Sequence, residues 1–263
     1  MTLIKSRLKV TTLVVTLGLE IASLPGLATI VPRQSDRSTI PQTSAGDWRI
    51  SQAYVPPNRQ APSVTAGGAS RGGCFKDRQQ LLKSLTPPDN LTLTTQEYPT
   101  FYWYIPESNA KELQFEVRYD DSNPQTWQKI TLPVPSKPGV ISINLQNTNL
   151  PALKVGQTYH WFLRMVCTND SGDRSGDAIV EGWIERTESN DLQQKLTGVD
   201  PSDRADIYAA AGIWQDSVAI LAELLRASPN DEAVAAKWQK LLSSAGLNQI
   251  ANKPLVECCK TNR

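Results

Sequence analysis

Leu153-Lys-Val-Gly156-Gln-Thr-Tyr159-His160-Trp161-Phe162-Leu163-Arg164-Met165-Val166-Cys167 is the stretch that decides the fold. Tyr159, Trp161, Leu163 and Met165 recur at the period of two that puts alternate side chains on one face of a strand. Phe162 and Val166 are apolar on the opposite face, so this strand needs cover on both sides. Its last residue, Cys167, has a distant candidate partner in Cys74.

Outward from this strand, period-two stretches of strand-forming residues recur at 91–95, 100–105, 112–119, 126–132, 140–145 and 177–186. Turn clusters separate them, among them Pro106-Glu-Ser-Asn109, Asp120-Asp-Ser-Asn-Pro124 and Ser136-Lys-Pro-Gly139. Seven short strands punctuated in this way predict a β-sandwich of immunoglobulin or fibronectin III character over residues 74–188. A short helix is predicted at 77–85, stopped by Pro87-Pro88. Leu113, Phe115 and Val117 alternate with Glu112, Gln114 and Glu116, one dry face and one wet. The last strand is apolar on both faces, with Ile179 and Trp183 opposite Val180 and Ile184. Leu153-x-x-Gly156-x-x-Tyr159 resembles the tyrosine corner of sandwich domains, whose hydroxyl bonds back to upstream backbone. Leu153, Gly156 and Tyr159 are therefore read as a structural corner.

Residues 189–256 are helical in pattern. Asp200-Pro201-Ser-Asp203 reads as a cap followed by proline at the first helical position. That helix stops at Gly212. A second runs from Trp214 to Ala227, with Val218, Leu221, Leu224 and Leu225 on one face. A third, capped by Asn230-Asp-Glu, carries Val234, Trp238, Leu241 and Leu242 and ends at Gly246. Gly212 and Gly246 are 34 residues apart, the tetratricopeptide period. One and a half repeats cannot form a solenoid, so the helices are expected to pack on the sheet and cover its two-sided strands.

Compartment is read from the N-terminus. Lys5, Arg7 and Lys9 precede an apolar run over 10–19, and Leu24-Pro-Gly26-Leu-Ala28 offers small residues for cleavage. Residues 1–28 are read as a signal peptide, too short in its apolar part to span a membrane. Residues 29–73, rich in Pro, Ser, Gln and Gly, are read as a disordered linker, and 257–263 as a tail. An exported chain with four cysteines favours bridges. Cys74–Cys167 would pin the entry segment to the core, whereas Cys258 and Cys259, being adjacent, are not expected to pair with each other.

The chemistry on offer is thin. Lys+Arg 27 against Asp+Glu 26 leaves no electrostatic footprint for nucleic acid. The single histidine, His160, faces out of the sandwich where the helical layer is expected, with no nucleophile-elbow pattern beside it. Glu181 and Glu185 flank Trp183 on one strand face, as acidic residues on a wet face commonly do. Asn169-Asp-Ser-Gly-Asp173-Arg-Ser-Gly-Asp177 is oxygen-rich but lacks EF-hand spacing and reads as a hairpin turn. No catalytic, metal or cofactor site is assigned. Tyr102, Tyr104, Trp127 and Trp183 remain as candidate surface stackers for a glycan.

Arg71-Gly-Gly-Cys74, Glu97-Tyr-Pro-Thr-Phe101, Leu153-x-x-Gly156-x-x-Tyr159-x-Trp161, Val180-Glu-Gly-Trp183 and Tyr208-Ala-x-x-Gly212-Ile-Trp214-x-Asp216 together resemble a cyanobacterial family defined as domain of unknown function 928. Ser217 stands where that pattern leads one to expect a small apolar residue. The resemblance implies an exported cyanobacterial protein and brings no activity with it. The sequence therefore predicts a mainly β protein with an α tail, working as a non-enzymatic binding or scaffold module of the periplasm or cell envelope. Its partner would be another envelope protein or, alternatively, a carbohydrate such as peptidoglycan, with glycan hydrolysis a remoter reading.

Overall fold

The computed structural model describes residues 54–59, 61–62, 74–77, 79–167, 174–188 and 190–259. The signal peptide, most of the linker, residues 168–173 of the oxygen-rich turn and residues 260–263 of the tail lie outside them.

Eight strands form two sheets. β1 (Lys83–Ser84), β3 (Thr100–Ile105) and β6 (Gly139–Asn144) make a three-stranded sheet in the order β1-β3-β6. β2 (Leu91–Thr94), β8 (Ala178–Arg186), β7 (Thr158–Val166), β4 (Glu112–Arg118) and β5 (Trp127–Leu132) make the other, in the order β2-β8-β7-β4-β5. Pairing is antiparallel except between β2 and β8. The core lies between the sheets, with Phe101, Trp103 and Ile141 from one and Phe115, Trp161 and Leu163 from the other. Trp161 stands edge-on to Trp103 at 5.7 Å and to Phe101 at 5.9 Å. Gly182 makes room for it, since a Cβ there would overlap Trp161 Cζ2.

Gly156 sits at φ +73°, Leu153 is buried, and the Tyr159 hydroxyl accepts from Lys154 N at 2.7 Å. Cys74 and Cys167 are bridged across 93 residues. The adjacent Cys258 and Cys259 are also bridged, contrary to expectation. The reason is placement. The tail pairs with β6 through Val140 N to Pro254 O (2.8 Å) and Val256 N to Val140 O (2.9 Å). That leaves the two thiols together beside Pro133, with the other pair already joined.

Five helices follow: α1 (Asn190–Leu196), α2 (Pro201–Ala210), α3 (Trp214–Ala227), α4 (Glu232–Ser244) and α5 (Asn248–Ala251). α1 and α5 escape a periodicity reading because each has too few turns to show a period. Asp231 caps α4, its carboxylate accepting from Ala233 N and Val234 N. Gly212 and Gly246, at φ +75° and +73°, end α2 and α4 as the sequence indicates.

The helices cover the wrong sheet relative to expectation. They pack on the outer face of the three-stranded sheet, over Tyr102, Tyr104 and Val140, and α1 and α2 close over Leu93 at the β2 edge. α3 is fastened there by Trp214 Nε1 to Leu85 O at 2.7 Å and Arg226 Nη2 to Ser142 Oγ at 3.0 Å. β3 is the strand apolar on both faces that demands a second layer. Its Tyr102 and Tyr104 read as surface residues because tyrosine is at home on either side. Ser217, buried in the same layer, donates its hydroxyl to Ala205 O at 2.8 Å, so the polar replacement is satisfied.

Two further expectations are corrected. The helix expected at 77–85 is absent from its described residues, Asp77 and 79–85, because Leu82 belongs to the inter-sheet core and Leu85 to the helical layer, which an extended β1 reaches and a one-faced helix does not. Residues 54–59 of the supposed linker are docked. Tyr54 is 6% exposed, stands edge-on to Trp214 at 4.8 Å and precedes a Val55 N bond to Ala209 O.

Candidate functional site

The hydrophobic clusters that hold the helices include no side chain from β4, β5 or β7. Among the described residues, the outer face of the five-stranded sheet is therefore without helical cover over β4, β5 and β7, where the sequence predicts it. Strand register aligns its side chains in rows. Trp127, Arg118, His160 and Trp183 are cross-strand neighbours in one row; Lys129, Glu116, Phe162 and Glu181 form the next. Such directly opposed pairs are the units that interact on a sheet surface.

In the first row, one cation, Arg118, stands among three rings. The Arg118 guanidinium lies 3.8 Å from the Trp127 ring centroid and 4.0 Å from that of Phe162. It also donates to Glu116 at 2.7 Å and to Asp121 at 3.1 Å. The His160 ring stacks on Trp183 at 3.9 Å with the planes 12° apart, and meets Phe162 at 4.1 Å. Its Nδ1 stands 3.4 Å from Asp121 and its Nε2 3.4 Å from Glu181. Burial holds the imidazole below its usual value, and the nearby Arg118 cation adds to this, while Asp121 works against both.

The face is closed toward β2, where His160 is 3% and Trp183 7% exposed, and opens toward β5, where Lys129 is exposed. Next to the stack is a cavity of about 410 Å³ with Phe162 and Ile179 among its apolar residues and Gln114, Arg164 and Lys129 among its polar ones. Arg164 is held toward Asp177 at 3.4 Å, and Asp177 accepts from Cys167 N at 2.9 Å, so the disulfide end of β7 stiffens this side of the cavity.

The four residues expected to stack on a glycan do not form one platform. Tyr102 and Tyr104 are 3% and 5% exposed beneath the helices, and burial pushes the Tyr102 hydroxyl up to about 12. Trp127 and Trp183 lie in one row of the outer face, Trp127 half-buried under the Arg118 cation and Trp183 buried against the His160 imidazole. His160 touches Asp121, Phe162, Glu181 and Trp183, none of which carries a hydroxyl or thiol. Glu185 is taken by Arg59 and by Thr158 Oγ1 at 3.4 Å. Arg118, Asp121, Phe162 and Lys129 were not singled out as binding residues from the sequence, because their meaning depends on which strands are neighbours.

Fold and face together define a two-sheet β protein with a helical layer on one side and a ring-and-charge surface on the other. The chain matches the family Domain of Unknown Function (DUF928) over residues 66–255 and belongs to it. Among curated proteins none matches it.

Proposed function

We propose that the protein is an exported, non-enzymatic binding module that presents the outer face of β5-β4-β7-β8 to a partner protein of the cell envelope. The observation that carries this reading is the Trp127–Arg118–Phe162 stack on a face that the helices leave open. Trp and Arg are the side chains that dominate protein–protein hot spots, and here both are prefixed in place. Charges of both signs (Lys129, Arg164 and Glu116) surround the stack and suit a partner of mixed charge better than nucleic acid. Export draws support from Cys74–Cys167, since such bridges persist in oxidising compartments, and from the basic and apolar pattern of residues 1–28. No helix among the described residues is long and apolar enough to cross a membrane.

We read the fold as immunoglobulin- or fibronectin-like. The Tyr159 hydroxyl bond and the assortment of strands into β1-β3-β6 and β8-β7-β4 support that reading. The α2–α3–α4 run, with its two positive-φ glycines, is read as tetratricopeptide-like.

The test is affinity capture from native envelope extract with the wild type and an Arg118→Ala/Lys129→Glu variant. A defined protein retained by the first and lost with the second is the expected result. Equal retention by both contradicts the assignment of this face.

A further inference from the structure

A second cavity, of about 380 Å³, lies where the β2–β3 connection and the end of β6 meet α2 and α3. Its size falls in the range of ~300–1,000 Å³ usual for small-ligand sites. It is separate from the ring-and-charge face, and its chemistry is different. Carboxylates, amides and tyrosines line it, and no Lys or Arg does. An anionic ligand would find no counter-charge there.

The floor is fixed before any ligand arrives. Asp216, buried at the start of α3, accepts from Thr95 N at 3.1 Å, Thr95 Oγ1 at 2.6 Å and Gln96 Nε2 at 3.2 Å. Its lone pairs are committed, so it holds the loop in place and is not an open charge for a cation. Gln215 Nε2 donates to Thr100 O, and Asn144 Nδ2 donates to Thr100 Oγ1 at 2.7 Å while its own oxygen accepts from Gln146 N at 2.8 Å. These bonds lock the polar wall in one geometry, which reduces the ordering cost of binding.

What remains available is at the rim. Gln96 is exposed at the groove and, with its amide nitrogen used by Asp216, keeps Oε1 as an acceptor. The side chains of Gln146, Glu97 and Glu223 are exposed on the same rim. Tyr98 and Tyr208, with Ala219 and Ile220, add an apolar surface beside these polar groups. Planar amides and carboxylates around an apolar patch match a pyranose, which has an apolar C–H face and a ring of hydroxyls that both donate and accept. We propose that this groove binds an uncharged sugar unit of a glycan.

The test is calorimetric titration of the purified protein with chitotetraose, cellotetraose, tetragalacturonate and spermidine. At least one of the two neutral tetrasaccharides is expected to bind with a Kd of ~1 mM or tighter, and the anionic one not at all. Gln146→Ala/Glu223→Ala, which alters only exposed side chains, is expected to weaken that binding at least tenfold. Ala219→Trp, which fills the groove, is expected to abolish it, and Arg118→Ala is expected to leave it unchanged. Failure of both neutral glycans to bind the wild type overturns the proposal, as does binding that survives the Gln146/Glu223 pair or tighter binding of spermidine. Loss in Arg118→Ala alone would move the sugar to the sheet face and overturn this site while leaving that face a binding surface.

Discussion

Replacing both Cys74 and Cys167 by serine removes the longest covalent closure in the described residues. The bridge joins positions 93 residues apart, and the chain-entropy relation gives a destabilisation of about 4.6 kcal/mol at 25 °C for a loop of that length. The folded state keeps its shape without it. Asn109 N still bonds Cys74 O at 2.8 Å and Lys76 N still bonds Glu107 O at 3.1 Å, so the entry segment stays seated. Burial of a serine hydroxyl in place of the Cys74 sulfur adds a small cost, and native-state relaxation subtracts from the total. A net loss of about 3–4 kcal/mol is expected. Equilibrium urea unfolding reads it directly, and the m-value should rise, because the uncrosslinked unfolded chain exposes more surface. Replacing Cys258 and Cys259 instead closes no long loop and should cost under ~1 kcal/mol by the same argument. A Cys74→Ser/Cys167→Ser loss below ~1 kcal/mol with an unchanged m-value would refute the reasoning.

Gly182→Ala puts a methyl onto Trp161, which is held edge-on by Trp103 and Phe101, and 2.8 Å from Asn90 Oδ1. It should cost ~2–3 kcal/mol in urea unfolding, as overpacked cores do, with part of the loss recovered in Gly182→Ala/Trp161→Phe. Tyr159→Phe removes the acceptor for Lys154 N and should cost ~1–2 kcal/mol, seen as a lower unfolding midpoint and faster exchange of the Lys154 amide. His160, whose folded value is depressed by burial, favours the neutral ring in the fold. Its contribution is present above about pH 6.5 and is lost as pH falls and the unfolded chain takes the proton first. Stability should fall between about pH 7 and 5.5 in the wild type and much less in His160→Gln, with no other histidine to confuse the assignment. Stability that rises over this window would mean that Asp121 and Glu181 hold the imidazolium more strongly than burial excludes it.

Local chemistry explains which parts of this fold were legible. The strands at 112–118 and 158–166 announce themselves by alternation, and the corner by Gly156 and Tyr159, because each depends on neighbours in sequence. Asp231 and the glycines at 212 and 246 mark helix ends for the same reason. Which sheet the helices cover is a long-range fact. It turns on Tyr102 and Tyr104 being buried, and tyrosine's amphipathic side chain does not reveal that. Tyr54 in a proline-rich stretch carries no periodicity, yet its ring finds Trp214. The candidate face was half visible. Trp127 and Trp183 could be named from the sequence, whereas Arg118 between Trp127 and Phe162 follows only once β5, β4 and β7 are neighbours.

Partner binding by the β5–β4–β7 face can be read by site-specific photocrosslinking in intact cells that produce the protein, with a photoreactive residue placed at Lys129 on the open face or at Lys240 on the helical layer. A discrete protein adduct is expected from position 129, lost when Arg118→Ala is added, and none from position 240. An adduct from position 240 alone, or one at 129 indifferent to Arg118, would contradict partner binding by this face.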